Sequence, residues 1–257
     1  MSQPERRSCR ARLRRIHEKA KLRLRLAWHC LTAFEDTVPR SVLKISLAQN
    51  GEDLIVWHAL HDLGIKHPRY LDIGAHEPMR LSNTALFYLL GCSGMNIEPD
   101  PLLFQKFLRH RRRDINLNIG IAPQAGELTF YRMADPSLST FSATEAERMQ
   151  REEGVALAAR LRIPVDNINV VLDRQDFTPD FLSIDTEGND LIILQNYDFS
   201  RRRPAVICVE TLSFSTRREG RKNLAIADYL LSQGYRVHAD TAINTIFVDA
   251  QRNRSPA

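Results

Sequence analysis

Glycine is scarce in this 257-residue chain, 11 in all, and nowhere does the spacing Gly-x-Gly-x-x-Gly occur. That absence argues against a dinucleotide site, because the second and third glycines of that loop let backbone and helix close around a pyrophosphate. Cysteine is sparser still. Cys9, Cys30, Cys92 and Cys208 are scattered with no Cys-x-x-Cys pair, so neither a disulfide framework nor a zinc knuckle is indicated, and a reducing cytosolic location is expected. Nor is there an apolar run near the roughly 18 to 20 residues that span a bilayer, and the charged N-terminus lacks the apolar core of a secretory signal.

What remains is ordinary for a soluble globular protein: 43% hydrophobic and 26% charged residues. The length suits one α/β domain with an appendage. Charge separates the two. The first forty residues hold eleven Lys or Arg against Glu5, Glu18, Glu35 and Asp36, a net +7; with +5 for the whole chain, the rest carries −2. The basic character is therefore local, and no nucleic-acid partner is expected of the body. Within the basic part, Leu13, Ile16, Ala20, Leu24, Ala27, Leu31 and Phe34 recur every three or four residues. This predicts an amphipathic helix over 10–34 with arginine-rich outer faces, followed by a linker at 36–41. Such a helix can pack on the body, lie on an anionic membrane or pair with a second copy of itself.

From residue 41 onward the pattern is α/β. A helix is expected over 49–63, with Gly51, Glu52 and Asp53 in its first turn, where acids suit the helix dipole. Short apolar runs at 70–73, 94–97 and 115–121 then alternate with helical spacing at 82–90 and 101–109, which reads as βαβαβ and a parallel sheet. A strand at 127–132 and a polar helix at 143–160 suggest a lid-like insertion over about 133–162, with Ser139-Thr-Phe141 on the acceptor wall. Strands are expected again at 181–184 and 205–209, with helices at 190–195 and 222–233. The last two runs, 235–239 and 245–248, are joined by a short turn and predict an antiparallel hairpin. The Arg109 to Arg113 run reads as a solvated helix end that complements the dipole.

In a doubly wound sheet the ligand sits beyond the carboxyl ends of the strands. The first such end is Asp72-Ile-Gly74-Ala75, where Gly74 permits close backbone approach and Asp72 can order the loop or meet a cationic group. The second is Asn96-Ile-Glu98-Pro99; Glu98 lies 26 residues beyond Asp72, near the spacing at which an acid takes both ribose hydroxyls. An alternative for Glu98 is an exposed acid capping the next helix. Ser82-Asn83-Thr84 would open the first crossover helix, either as a plain N-cap or as a carboxylate seat.

Taken in order, Gln49-Asn-Gly-Glu-Asp53, Tyr70-Leu-Asp-Ile-Gly-Ala-His76, Ser82-Asn-Thr84, Asn96-Ile-Glu-Pro99, Asn118-Ile-Gly-Ile121, Phe181-Leu-Ser-Ile-Asp-Thr-Glu-Gly188 and Glu210-Thr211 resemble the FkbM-type methyltransferases over about 41–249. The Ser-Gln-x-Gly-Glu-Asp opening is altered, since Ser46 stands three residues before Gln49. The resemblance implies a Rossmann-like class I methyltransferase fold, with a seven-stranded, mostly parallel sheet ending in the hairpin. It implies S-adenosylmethionine as donor and a hydroxyl on a sugar, glycolipid, polysaccharide or polyketide-type metabolite as acceptor. Gln49, Asp72, Gly74, Ala75, Ser82, Asn83, Thr84, Glu98, Pro99 and Asn118 would then form the donor site.

Methyl transfer to an alcohol needs in-line alignment and removal of the hydroxyl proton. Asp185 and Glu187 share the turn after the fourth parallel strand, and Asp185 is the first candidate for base or acceptor-orienting group. His76, in the cofactor loop, is a rival base with a suitable ordinary pKa. With Glu210 the two carboxylates could instead hold a divalent cation. A different class of reading, a non-catalytic module docked to a membrane or partner through the basic helix, also fits the N-terminal charge.

Overall fold

Ten strands and seven helices alternate along residues 45–215 and 220–252, which the computed structural model describes. The helix expected over 10–34 and its linker lie outside the described residues. The strands are β1 (Tyr70–Ile73), β2 (Gly94–Ile97), β3 (Ile115–Leu117), β4 (Gly120–Ile121), β5 (Gly126–Met133), β6 (Leu157–Asp166), β7 (Phe181–Ile184), β8 (Val206–Glu210), β9 (Tyr235–Asp240) and β10 (Asn244–Asp249). The helices are α1 (Glu52–Asp62), α2 (Ala85–Leu89), α3 (Pro101–His110), α4 (Ala143–Glu152), α5 (Ile168–Arg174), α6 (Asp190–Gln195) and α7 (Leu224–Ser232). None is long and apolar enough to cross a membrane.

Seven strands form one sheet in the order β3-β2-β1-β7-β8-β10-β9, parallel except for β10, which runs against both neighbours. This is the class I methyltransferase layout expected, including the closing hairpin. The central strands are buried on both faces, and alternate residues feed two cores, as a parallel sheet between helical layers requires. Leu71, Ile73, Met95, Ile97, Leu182 and Ile184 pack with Ile168, Leu172, Ile193 and Leu230 from α5, α6 and α7. Tyr70, Phe181, Val206 and Cys208 pack the other way against Val56, Leu60 and Phe87 from α1 and α2. Chain order reverses between β1, whose neighbours are β2 and β7, so the carboxyl ends of these strands open a crevice there.

The strand expected at 127–132 and the start of the polar helix at 143 are present, but a second sheet, β4-β6-β5, takes up the end of the insertion that was expected to be helical. The polar helix stops at Glu152 rather than residue 160, because from Leu157 onward burial alternates with period two: Leu157, Ala159 and Leu161 lie inward while Ala158, Arg160 and Arg162 are exposed. The long β5–β6 ladder then fixes the strand state. Met133, Leu138, Ala146 and Met149 give this part its own small core. The run 115–121 is likewise two strands in two sheets. At the break, Asn118 Nδ2 donates to the carbonyls of Glu98 and Pro99 at 2.8 and 2.9 Å, so the interruption anchors the turn after β2. Gly120 is required by contact: a Cβ there would lie 2.4 Å from the Phe141 ring.

The arginine run also departs from expectation. α3 ends at His110, and Arg111, its C-cap, is fully buried rather than solvated. Its guanidinium bonds Asp114 at 2.9 Å, the Pro78 carbonyl at 3.0 Å and Thr84 Oγ1 at 2.7 Å, which supplies the partners a buried cation needs.

Candidate active site

A cleft of about 480 Å³, within the roughly 300 to 1,000 Å³ of small-molecule sites, opens beyond the carboxyl ends of β1, β2, β7 and β8. Gly74 sets its floor. With φ at +78°, it sits where a Cβ would fall 1.8 Å from the Asp185 carbonyl oxygen, so no other residue can be placed there without moving the two loops apart. The backbone ties the same corner together: Gly74 and Ala75 donate to the Ile97 carbonyl, and Asp185 donates to that of Ile73. The loop after β1, the end of β2 and the turn after β7 therefore hold one another in register.

On one side of this floor stand Asp72 and Glu98. Asp72 accepts from Thr84 Oγ1 at 2.7 Å and from the Ser183 hydroxyl, while burial pushes its carboxyl above the ordinary range. Glu98 accepts two backbone N–H groups, from His76 and Asp100, each at 2.7 Å. Burial nevertheless drives its pKa up to about 8. Glu98 is 4% exposed, and the cap of α3 is Asp100, whose carboxylate accepts from Leu102 N. The alternative of Glu98 as an exposed helix cap is thereby corrected. Asp100 in turn accepts from Nε and Nη2 of Arg132 in β5, at 2.6 Å each. Leu103, Phe130 and Leu138 line this side with apolar surface.

On the other side, Asp185, Glu187 and Glu210 converge, with one carboxylate oxygen of each within 4.8 Å of the others. Burial and the charge of Asp190 raise Asp185 to about 7; a side-chain hydrogen bond from Glu210 opposes that rise. Burial and the nearby Asp185 hold Glu210 well above the usual carboxylate range. Two adjacent carboxylates cannot both ionise cheaply, so the pair holds a proton between its two acids. Glu187 is raised by burial and by Asp185. It holds φ at 52°, in the left-handed region that is unfavourable for a side chain with a Cβ, and its carbonyl accepts from Thr140 Oγ1 at 2.8 Å. The three oxygens could equally hold a hard divalent cation.

Gln49, Asp72, Gly74, Ala75, His76, Ser82, Asn83, Glu98, Asp185 and Glu187 all line the cleft. Thr84, Pro99 and Asn118 do not. Thr84 is fully buried behind Asp72, Pro99 borders a separate cavity of about 20 Å³, and Asn118 spends its amide on the β2 turn. Ser82 accepts from the N–H of Ala85 at 3.2 Å, so its oxygen acts as a helix-start acceptor. His76 is pulled below its ordinary pKa by burial, and its charged neighbours are Glu77, Arg80, Asp135 and Lys106. That surrounding belongs to the rim of the cofactor loop rather than to the carboxylate trio.

Of the expected Ser139-Thr-Phe141 wall, Ser139 lines the cleft while Phe141 borders the separate small cavity; sequence reasoning missed the rest of this lining, Ser137 and Leu138 from the short 3-10 turn Pro136–Leu138, Leu212, Ser213 and Phe214 after β8, and Ile243. These carry no spacing signal, being brought together by tertiary folding. Glu210 was grouped with Asp185 and Glu187 from sequence as a possible cation ligand, and its direct pairing with Asp185 appears once β7 and β8 lie side by side.

The sequence matches the methyltransferase FkbM domain over residues 72–237, more than half of the chain. No curated protein matches it significantly. Similar solved structures include a human methyltransferase 10 domain containing protein, 12% identical, TM-score 0.40, covering 88% of this chain and 95% of that one. A protein from Klebsiella pneumoniae described as an O-methyltransferase is 8% identical with TM-score 0.41, covering 84% and 94%. The N-terminal domain of human METTL16 in complex with SAH is 12% identical with TM-score 0.40, covering 86% and 79%. The residues present fit a nucleoside-bearing sulfonium: a glycine floor with no room for a side chain, an acid for ribose hydroxyls, a second acid for an ammonium group and an apolar wall. The chain belongs to the FkbM methyltransferase family, and its methyl donor is S-adenosylmethionine.

Proposed function

We propose that the enzyme transfers a methyl group to a hydroxyl of a sugar, glycolipid, polysaccharide or polyketide-type acceptor, with Asp185 as the general base. The donor, when bound, supplies an electrophilic methyl on a sulfonium. Glu98 and Asp72 would hold it, through ribose and ammonium contacts respectively. The chain's own work is to place the acceptor hydroxyl and take its proton.

The observation that carries this reading is the Asp185–Glu210 pair. An alcohol is a poor nucleophile until its proton is drawn off, and a base serves best when its pKa lies near the working pH. Asp185, raised to about 7 and paired with Glu210, meets that condition. It also stands against Gly74, at the junction of the two halves of the cleft. The acceptor would enter past Ser137, Ser213 and Phe214, a wall that mixes hydroxyl groups with apolar surface as a sugar or polyketide demands.

The test is mass spectrometry of reactions with candidate glycans and isotopically labelled donor, run with and without a chelator. Asp185→Asn is expected to lower kcat by about 10²- to 10⁴-fold while binding of S-adenosylhomocysteine stays within about twofold, because what is lost is an interaction made in the transition state. A variant that still transfers methyl at the parental rate would remove Asp185 as the base. Loss of activity on chelation would transfer the role to a cation held by the trio.

A further inference from the structure

We infer that Arg111 is a positioning residue for the donor's amino-acid end, acting through the hydroxyl of Thr84 on Asp72. This rests on the reading of Asp72 as the partner of the ammonium group.

Arg111 lies behind the cleft and does not line it. Its Nη2 donates to Thr84 Oγ1 at 2.7 Å, and that same oxygen donates its proton to Asp72 Oδ2 at 2.7 Å. A threonine hydroxyl has one proton and two lone pairs. Because a guanidinium can only donate, its bond to Oγ1 obliges the threonine proton to point at Asp72. The direction of the relay is thus fixed by the chemistry of its ends. Asp72 also takes the Ser183 hydroxyl, which leaves the outer lone pairs of its carboxylate facing the cleft.

Fixing that orientation matters because Asp72 sits among like charges. Glu98 bears on it from just past β2, Asp185 from just past β7 and Asp114 from behind, while the neighbouring Tyr70 hydroxyl and Cys208 thiol, both raised by burial, stay neutral. Arg111 is the cation that offsets them. It is itself locked: Nε to Asp114, Nη1 to the Pro78 carbonyl, and its guanidinium over the rings of Tyr70 and Tyr88 at 5.3 and 4.9 Å. Asp114 is held by Tyr70 Oη, by Asn96 Nδ2 and by the Gly94 N–H. A charge this constrained can aim a carboxylate at a distance, and none of its bonds reaches the ligand.

Isothermal titration of the full chain with S-adenosylhomocysteine and with 5′-methylthioadenosine, which lacks the amino-acid chain, separates positioning from mere support. Thr84→Val keeps shape and leaves Arg111 in place. It is expected to weaken S-adenosylhomocysteine by about tenfold or more, the scale of a hydrogen bond to a charged group, with the thioadenosine changed by no more than about twofold; Thr84→Ser is expected to restore both. Equal weakening of the two ligands, or none, overturns the relay. Parental protein that binds neither ligand overturns the donor-site reading itself, and the relay with it.

Discussion

The two halves of the cleft treat their carboxylates in opposite ways. Around Asp72 and Glu98 each oxygen has a donor: a hydroxyl, a backbone N–H, or a charge relayed from Arg111. Around Asp185, Glu187 and Glu210 the acids face one another and share a proton. The first arrangement is complete before any ligand arrives, so it suits binding at low reorganisation cost. Burial raises carboxylates in both walls, Glu98 to about 8 and Asp185 to about 7, but in the second the acids also face one another, which places Asp185 to accept a proton near neutrality. In the proposed function, binding and transfer thus fall to different walls of one cleft, joined at the contact of Gly74 with Asp185.

The strongest way to break this division is to damage the binding wall and look for effects on the transfer wall. Glu98→Ala removes the acid proposed to take the ribose and leaves the N–H groups of His76 and Asp100 without their acceptor. S-adenosylhomocysteine affinity is expected to fall by about 10- to 100-fold, as when a site's hydrogen-bonding group is deleted. Single-turnover methyl transfer at saturating donor should change far less. A loss of transfer as deep as the loss of affinity would show that the walls do not act separately.

A smaller effect sharpens the same contrast. Arg132→Ala frees Asp100, a side chain 3% exposed whose bidentate partner is then gone, and breaking such a pair costs about 3 to 5 kcal/mol at full burial; the guanidinium here is 19% exposed, so a value below that range is expected in thermal or denaturant unfolding. Because Asp100 N–H holds Glu98, donor affinity should drop a few-fold while the pH dependence of transfer keeps its midpoint. A shifted midpoint would connect β5 to the acceptor wall instead.

Much of the binding wall was legible in sequence, because its residues sit at strand ends and loop starts with fixed offsets: Asp72, Gly74 and Glu98 fall where a doubly wound sheet puts its ligand. Thr84 and Asn118 were placed in the right neighbourhood but one layer too far forward, since sequence does not reveal which side of a loop a side chain faces. Arg111 was misread as solvated because basic runs at helix ends usually are; the acid at Asp114, the Pro78 carbonyl, the Thr84 hydroxyl and the rings of Tyr70 and Tyr88, brought in by the fold, make burial of a cation tolerable. The insertion was misjudged for a related reason. Residues 157–160 extend a helical-looking polar stretch, and their strand state is imposed by pairing with β5.

The proposed acceptor wall was the least legible, since it is assembled from 136–139, 212–215 and Ile243, segments distant in the chain. Its central claim is the Asp185–Glu210 pair, and the pH dependence of single-turnover methyl transfer at saturating donor and acceptor tests it most directly. Asp185 acts in its ionised form, so the rate should rise about tenfold per pH unit below the transition, level off above about 7, and lose this acid limb in Asp185→Asn. A rate that is flat between pH 6 and 8, or an acid limb that survives in that variant, would contradict the account.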